Sequence, residues 1–267
     1  MILPVGTRTP FFQVPGVAIH QGDCREVMAD IPGGSAHLVF SDPPYNLSDE
    51  DNEGMARKAR PHSPIAGDKG AWDRLEADDF EDLITGYLDQ SRRILRPGGT
   101  IIVCCSHHEE DNFKRWIGER FEILNRIIWH KTNPSPLFAK TRLVWSHEYL
   151  FVARKPGRLN TVNWDLYPYS EMHDVWTGPI CQGRERVTEP YVDEEGKARR
   201  RSVHPTQKPL WLVEKAVRIF SNPGDLVVDP FAGVLTGPVA AQRHGRRVIG
   251  MDLSTKYLTA GTPRLKG

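Results

Sequence analysis

Apolar and polar residues follow two rhythms along this chain, and the rhythms take turns. Short apolar runs rich in Val and Ile read as strands: Val17–His20, His37–Phe40, Thr100–Cys105, Glu122–Trp129, Glu148–Ala153, Leu226–Val228 and Arg247–Gly250. Between them, apolar positions recur at helical spacing. The clearest case is Asp79–Leu95, where Phe80, Leu83, Ile84, Tyr87, Leu88, Ile94 and Leu95 share one face and Pro97-Gly98-Gly99 stops the pattern. Further helices are expected over Asp23–Asp30, Glu109–Ile117, from Pro209 to Phe220 and from about Pro238. Alternation of strand and helix predicts the α/β class, with a doubly wound, mostly parallel sheet. Two stretches break the rhythm. Residues 46–74 are charged, punctuated by Gly and Pro, and lack any period, so they read as a polar loop; residues 155–203 are irregular and rich in Arg, Gly, Tyr and Trp, so they read as an insertion. The expected organisation is one domain in two halves, 1–154 and 204–267, around the insertion 155–203.

Composition narrows the partners. The 267 residues suffice for one large domain with a sizeable core. With 35 basic and 34 acidic residues, the net charge of +1 gives no global pull toward a polyanion. Any such contact must come from local patches. No run approaches the roughly 18 apolar residues of a membrane span, and no basic-then-apolar leader opens the chain, so neither span nor signal peptide is expected. The four cysteines, Cys24, Cys104, Cys105 and Cys181, lack a disulfide framework and suit a reducing cytoplasm.

The most distinctive chemistry closes the strand His37–Phe40. Asp42-Pro43-Pro44-Tyr45 sets a carboxylate, two imino acids and an aromatic ring side by side. The prolines fix φ and remove two backbone donors, so the local carbonyls stand out as acceptors beside a stacking surface. Such a cluster suits an exocyclic amino group on an aromatic base. That amine is a poor nucleophile while conjugated, and acceptors that turn its lone pair toward an electrophile would help it react. Taken alone, the tetrapeptide also fits an ordinary proline-rich turn.

A second segment, Asp225-Leu-Val-Val-Asp229-Pro-Phe231-Ala232-Gly233, runs a strand into a glycine-bearing turn, and a later strand ends in Asp252. That is the logic of a site for an adenosine-containing cofactor: the turn admits the ligand to the backbone, and the acid accepts two ribose hydroxyls.

Together with the block His204-Pro-Thr206-Gln207-Lys208-Pro209, these motifs resemble the β-group of DNA amino-methyltransferases, which depend on S-adenosylmethionine. Asn133-Pro-Ser-Pro136 and Ser146-His-Glu-Tyr-Leu-Phe151 resemble a further family segment, and the similarity covers about residues 17–258. The resemblance implies a methyltransferase fold with permuted motif order and residues 155–203 as target-recognition region. It implies that Asp42 and the Pro43 carbonyl accept from the target amine, with Pro44 in the same rigid clamp and Tyr45 stacked on a flipped base. Phe231, Ala232 and Gly233 would line the donor, with Asp229 and Thr236 in the same loop, while Asp252 binds its ribose. Asp23 and Cys24 match the adenine side, where Asp23 reads equally well as a helix N-cap. Thr206, Gln207 and Lys208 match the methionine tail, where Lys208 would meet a carboxylate. Duplex DNA is the implied partner, with a homodimer and a bacterial or phage nucleoid as the implied setting; the family serves restriction–modification, phage and orphan systems alike, so a restriction partner is left open. An Asp-initial tetrapeptide leans to adenine N6. Cytosine N4, a non-catalytic DNA-binding relative, and an RNA or protein-amide substrate stay open at this point.

Two departures from the family pattern are visible. Gly233 is followed by Val234-Leu235 where Ser-Gly is usual, and the acid is Asp252 where Glu is commoner. A side chain at 235 is therefore expected to crowd the donor. Candidate phosphate contacts are Asn133, Lys140, Arg142, Arg199, Arg200 and Arg201. No metal is expected. Cys104-Cys105-Ser106-His107-His108 holds four possible ligands, yet adjacent cysteines on a strand face opposite ways and no second pair stands at zinc spacing.

Overall fold

The computed structural model of the chain describes residues 6–46, 75–136 and 142–266. Nearly all of the polar stretch 46–74, and Lys140, lie outside those residues. The chain runs through β1 (Phe12–Val14), β2 (Val17–Gln21), α1 (Cys24–Ala29), β3 (Ala36–Ser41), α2 (Ala77–Ile94), β4 (Leu95–Cys105), α3 (Glu110–Gly118), β5 (Glu122–Lys131) and β6 (His147–Arg154). It continues with β7 (Val175–Gly178), β8 (Thr188–Val192), β9 (Ala198–Ser202), α4 (Leu210–Phe220), β10 (Leu226–Asp229), α5 (Thr236–Arg243), β11 (Arg247–Asp252) and α6 (Thr255–Gly261).

Nine strands form one sheet in the order β1-β2-β11-β10-β3-β4-β6-β5-β7, and β8 with β9 forms a separate pair. Neighbours from β2 through β4 are parallel, β6 runs antiparallel to β4 and β5, and β1 is antiparallel to β2. The predicted doubly wound α/β fold is present. Its cause is the apolar run on each strand, which alternates between two cores. Val39, Ile101, Val103, Cys105, Val228 and Ile249 pack with α1, α2 and α3 on one face. Leu38, Phe40, Ile102, Cys104, Val227 and Val248 pack with α4, α5 and α6 on the other. Helix α2 delivers Phe80, Ile84, Tyr87, Leu88 and Ile94 to the first core, each burial stabilising by about 1.5–3 kcal/mol.

From β3 the chain moves on to β4, and from β10 to β11, on opposite sides of the β3–β10 pair. The strand order thus reverses between β3 and β10. In sheets of this kind a crevice opens at that point beyond the carboxyl ends of the strands.

Two expectations need correction. Pro97-Gly98-Gly99 does not terminate α2; the helix ends at Ile94, and the three residues belong to β4. Gly98 N–H donates to Lys155 O (2.9 Å) and Lys155 N–H to Gly99 O (2.9 Å), so ladder bonds to the end of β6 override the local turn signal. The insertion is also more ordered than its sequence suggests. Its strand β7 extends the main sheet by pairing parallel with β5. There Trp211 lies against Gly178, where a Cβ would stand 2.3 Å from the indole. The rest of the insertion holds the hairpin β8–β9 and short 3-10 turns.

Candidate active site

A cavity of about 460 Å³ fills the switch-point crevice. One wall is Asp42, Pro43, Pro44 and Tyr45, directly after β3; the opposite wall is Asp229 to Val234 with Asp252 and Ser254, after β10 and β11. Residues 204–208 and the first turns of α2 close the sides.

The clamp wall is a network of buried charge. Tyr45 O–H donates to Asp42 Oδ1 at 2.9 Å and to Glu148 Oε2 at 3.3 Å. Lys208 Nζ lies 2.8 Å from Asp42 Oδ1, 3.4 Å from Glu148 Oε2 and 4.9 Å from the Tyr45 ring centre. Burial pushes the Asp42 carboxyl above its ordinary value, against the pull of Lys208. Lys208 pairs here with two protein carboxylates. Ser41 Oγ donates to Ile102 O (3.2 Å), which fixes the strand end from which Asp42 emerges.

The opposite wall is shaped by close backbone approaches. Phe231 N–H donates to Asp229 Oδ1 (3.2 Å) and Ala232 N–H to Met251 O (2.9 Å). Asp252 accepts from Gly233 N–H through Oδ2 and from Ser254 N–H through Oδ1, both at 2.8 Å. Each carboxylate oxygen keeps a second lone pair for a hydroxyl. Burial raises the carboxyls of Asp229 and Asp252. Gly237 packs so tightly under Asp229 that a Cβ would stand 2.0 Å from Oδ2.

Leu235 does not crowd the cavity. It caps α5 in the left-handed region (φ 67°), fully buried in the second core, where its side chain meets Gly261. The neighbours Val234, Thr236 and Gly237 line the cavity instead. The αL backbone that usually asks for glycine is kept, and the leucine side chain points into the core.

Asp23 and Cys24 border the cavity at the start of α1. Asp23 is the N-cap, accepting from Arg25 N–H at 2.8 Å, and its carboxylate pairs with the Arg25 guanidinium at 2.7 Å. Gln207 lines the cavity but is held by the insertion: it accepts from Val187 N–H (2.9 Å) and donates to Glu185 O (3.1 Å). Thr206 N–H donates to His204 Nδ1 at 3.3 Å.

Sequence reasoning missed Glu148, Lys131 and His204. Glu148 had a legible signal: a carboxylate heading the apolar run Tyr149–Ala153, on a strand that begins where parallel strands end. Lys131 Nζ holds Glu148 Oε1 at 2.6 Å. His204 faces Gly233, where a Cβ would stand 3.1 Å from Nε2, and its ring packs on Tyr257 (4.6 Å between centres). Burial, with Lys208 and Arg186 nearby, lowers the imidazole to about 4 from 6.5. As pH falls through 6.5 the unfolded chain takes a proton that the folded His204 refuses until about pH 4, so stability is lost across that window. A His204→Gln protein is expected to lose less stability than wild type between pH 6.5 and 4, measured by denaturant melts at each pH.

The predicted phosphate contacts are scattered. Asn133 ties β5 to the insertion through Gln182 (2.7 Å) and Ile180 N–H (2.8 Å). Arg142 lies over the Trp145 ring. Arg199, Arg200 and Arg201 lie on β9, not in a loop, and engage Asp193, Thr188 and Glu189 at 2.7–2.9 Å. Among the described residues, no group of three or more His, Cys, Asp or Glu side chains could hold a metal ion, and no helix is long and apolar enough to cross a membrane.

In doubly wound sheets a crevice at this point is where ligands bind. A DNA methylase family model matches residues 36–262, and the chain belongs to that family. It is 31% identical to the type II methyltransferase M2.LlaDCHI of Lactococcus lactis, over 96% of this chain and 91% of the relative. It is 30% identical to M2.DpnII of Streptococcus pneumoniae, over 96% and 92%. Among solved structures it resembles TTHA0409 of Thermus thermophilus in complex with S-adenosyl-L-methionine, at 26% identity, a TM-score of 0.62, and 92% and 91% coverage. PvuII DNA methyltransferase, at 18% identity and a TM-score of 0.75 over 98% and 90%, shares the fold.

Proposed function

We propose that this protein transfers a methyl group from S-adenosylmethionine to the exocyclic N6 of an adenine flipped out of duplex DNA. The observation that carries this reading is the pairing, across one crevice, of the rigid Asp42–Tyr45 clamp with the glycine-hinged wall that ends in Asp252. The charge of the cavity suits the donor. Asp23, Asp42, Asp79, Asp82 and Asp252 line it against Arg25 and Lys208, a set that favours a cation. Asp252 has the lone pairs for ribose hydroxyls, Phe231, Ala232 and Gly233 supply close backbone, and Asp229 and Thr236 complete that wall. Asp23 and Cys24 border the base end. The donor supplies an electrophilic methyl on a sulfonium.

The residues of this chain do the rest. Asp42 and the Pro43 carbonyl accept the two amino hydrogens of the base, which turns the nitrogen lone pair toward the opposite wall. Tyr45 gives the base an aromatic face, and its hydroxyl holds the Asp42 carboxylate in place. Pro43 and Pro44, both buried, keep the clamp from adapting to other shapes. Once nitrogen bonds to carbon and the carbon–sulfur bond breaks, the nitrogen must shed a proton. Asp42, its carboxyl raised by burial, is assigned to receive it.

Lys208 serves as counter-ion to this clamp, while Thr206 and Gln207 brace the side wall. Residues 155–203 are the reading surface in this proposal; Asn133, Arg142 and Arg199–Arg201, held by protein partners here, would exchange those contacts to meet phosphates. A homodimer at the nucleoid belongs to the same reading. The test is transfer of labelled methyl to mixed DNA followed by nucleoside digestion. Label is expected on N6-methyladenine; label on N4-methylcytosine would overturn the base assignment, and unlabelled DNA the activity.

A further inference from the structure

Beside the clamp, four charges from four segments meet, one of them buried and three part-buried. Asp42 follows β3, Lys131 ends β5, Glu148 opens β6, and Lys208 precedes α4; their side chains are 19%, 16%, 17% and 7% exposed. Two carboxylates and two ammonium groups balance. Glu148 is the hinge of the set. It takes Lys131 on Oε1 at 2.6 Å and Lys208 on Oε2 at 3.4 Å, while Lys208 reaches Asp42 at 2.8 Å. Burial opposes its ionisation, but the two lysines win and hold its carboxyl at about 2, so it is fully charged at neutral pH.

Buried ion pairs of this kind add little to stability over apolar side chains of similar size. Their value here is electrostatic. Resting on the methyltransferase reading above, we propose that Glu148 is a positioning residue for transfer: it shares Lys208 with Asp42 and neutralises Lys131, so that the cluster behind the cavity wall formed by Asp42 and Lys208 presents no net positive charge to the cationic donor. Without that carboxylate, two ammonium groups would face one acid. The wall would then repel a sulfonium, and Lys208 would be drawn wholly onto Asp42, weakening the acceptor that orients the amine.

The experiment compares wild type, Glu148→Gln, Lys131→Met and the double variant Glu148→Gln/Lys131→Met. The readouts are S-adenosylmethionine affinity by calorimetry, kcat, and KM for DNA. Glu148→Gln is expected to weaken donor binding about tenfold or more and to lower kcat about 100-fold with little change in KM for DNA. The double variant is expected to recover most of both losses, because it restores charge balance while disturbing packing further. Lys131→Met alone, with Glu148 still on Lys208, is expected to bind the donor at least as tightly as wild type. That arm decides the matter if Glu148→Gln does not fold. Wild-type values in Glu148→Gln, a double variant no better than the single, or weaker donor binding in Lys131→Met would each overturn the proposal. Wild-type protein that binds no donor would instead remove the methyltransferase reading beneath it, so the two failures are told apart.

Discussion

Asp42→Ala is expected to fold and to lose methyl transfer by at least about three orders of magnitude in kcat, since an acceptor that acts mainly in the transition state cannot be replaced by water in a shaped cavity. The fold should survive because Lys208, the buried cation that Asp42 partners, keeps Glu148 at 3.4 Å. Some stability goes with the lost pair, on the order of 1–3 kcal/mol, since a buried ammonium is left with a longer contact. Asp42→Asn keeps an acceptor oxygen and the shape but not the charge, so it should fall between wild type and alanine. Single-turnover transfer at saturating donor, beside a thermal melt, checks both halves. Full activity in Asp42→Ala would refute the role given to this carboxylate.

Leu235 yields the second large effect, and its direction reverses what the bare motif suggests. Read as a string, a leucine where glycine is usual threatens the donor, and Leu235→Gly looks like a repair. In the fold the side chain is fully buried away from the cavity. Removing it should cost about 2–5 kcal/mol for the lost contacts and the hole left behind. Glycine returns about 1 kcal/mol of that, because the left-handed backbone at φ 67° no longer strains a Cβ. Alanine returns nothing. Leu235→Ala is therefore expected to be less stable than Leu235→Gly by about 1 kcal/mol, and neither should bind donor more tightly than wild type. Denaturant melts and calorimetry test this. A Leu235→Gly protein as stable as wild type, or a tighter binder, would refute the placement.

Much of the architecture was legible because local pattern and global fold agree. The runs at Leu38–Phe40, Ile101–Cys105 and Val227–Val228 are apolar on both faces, which only a sheet covered by helices on both sides can bury. The helix start at Asp23 was legible for the same local reason, a short acceptor facing an orphan N–H. Where local signals and long-range pairing disagreed, pairing won. Pro97-Gly98-Gly99 entered a strand, and Val175–Gly178, hidden in an irregular stretch, joined the sheet beside β5.

The amino-acid string alone thus carried the doubly wound class and the segments Asp42–Tyr45, Gly233 and Asp252 that line one cavity, because each depends on neighbours in sequence: a period, a pair of prolines, a fixed spacing. It could not say that Lys208 pairs with Asp42 and Glu148, nor which way Leu235 points. Those facts join side chains up to 166 positions apart, from Asp42 to Lys208, and follow from strand order and the turn of one backbone dihedral. A charge acquires its meaning from whichever charges share its dry surroundings, and folding alone chooses them.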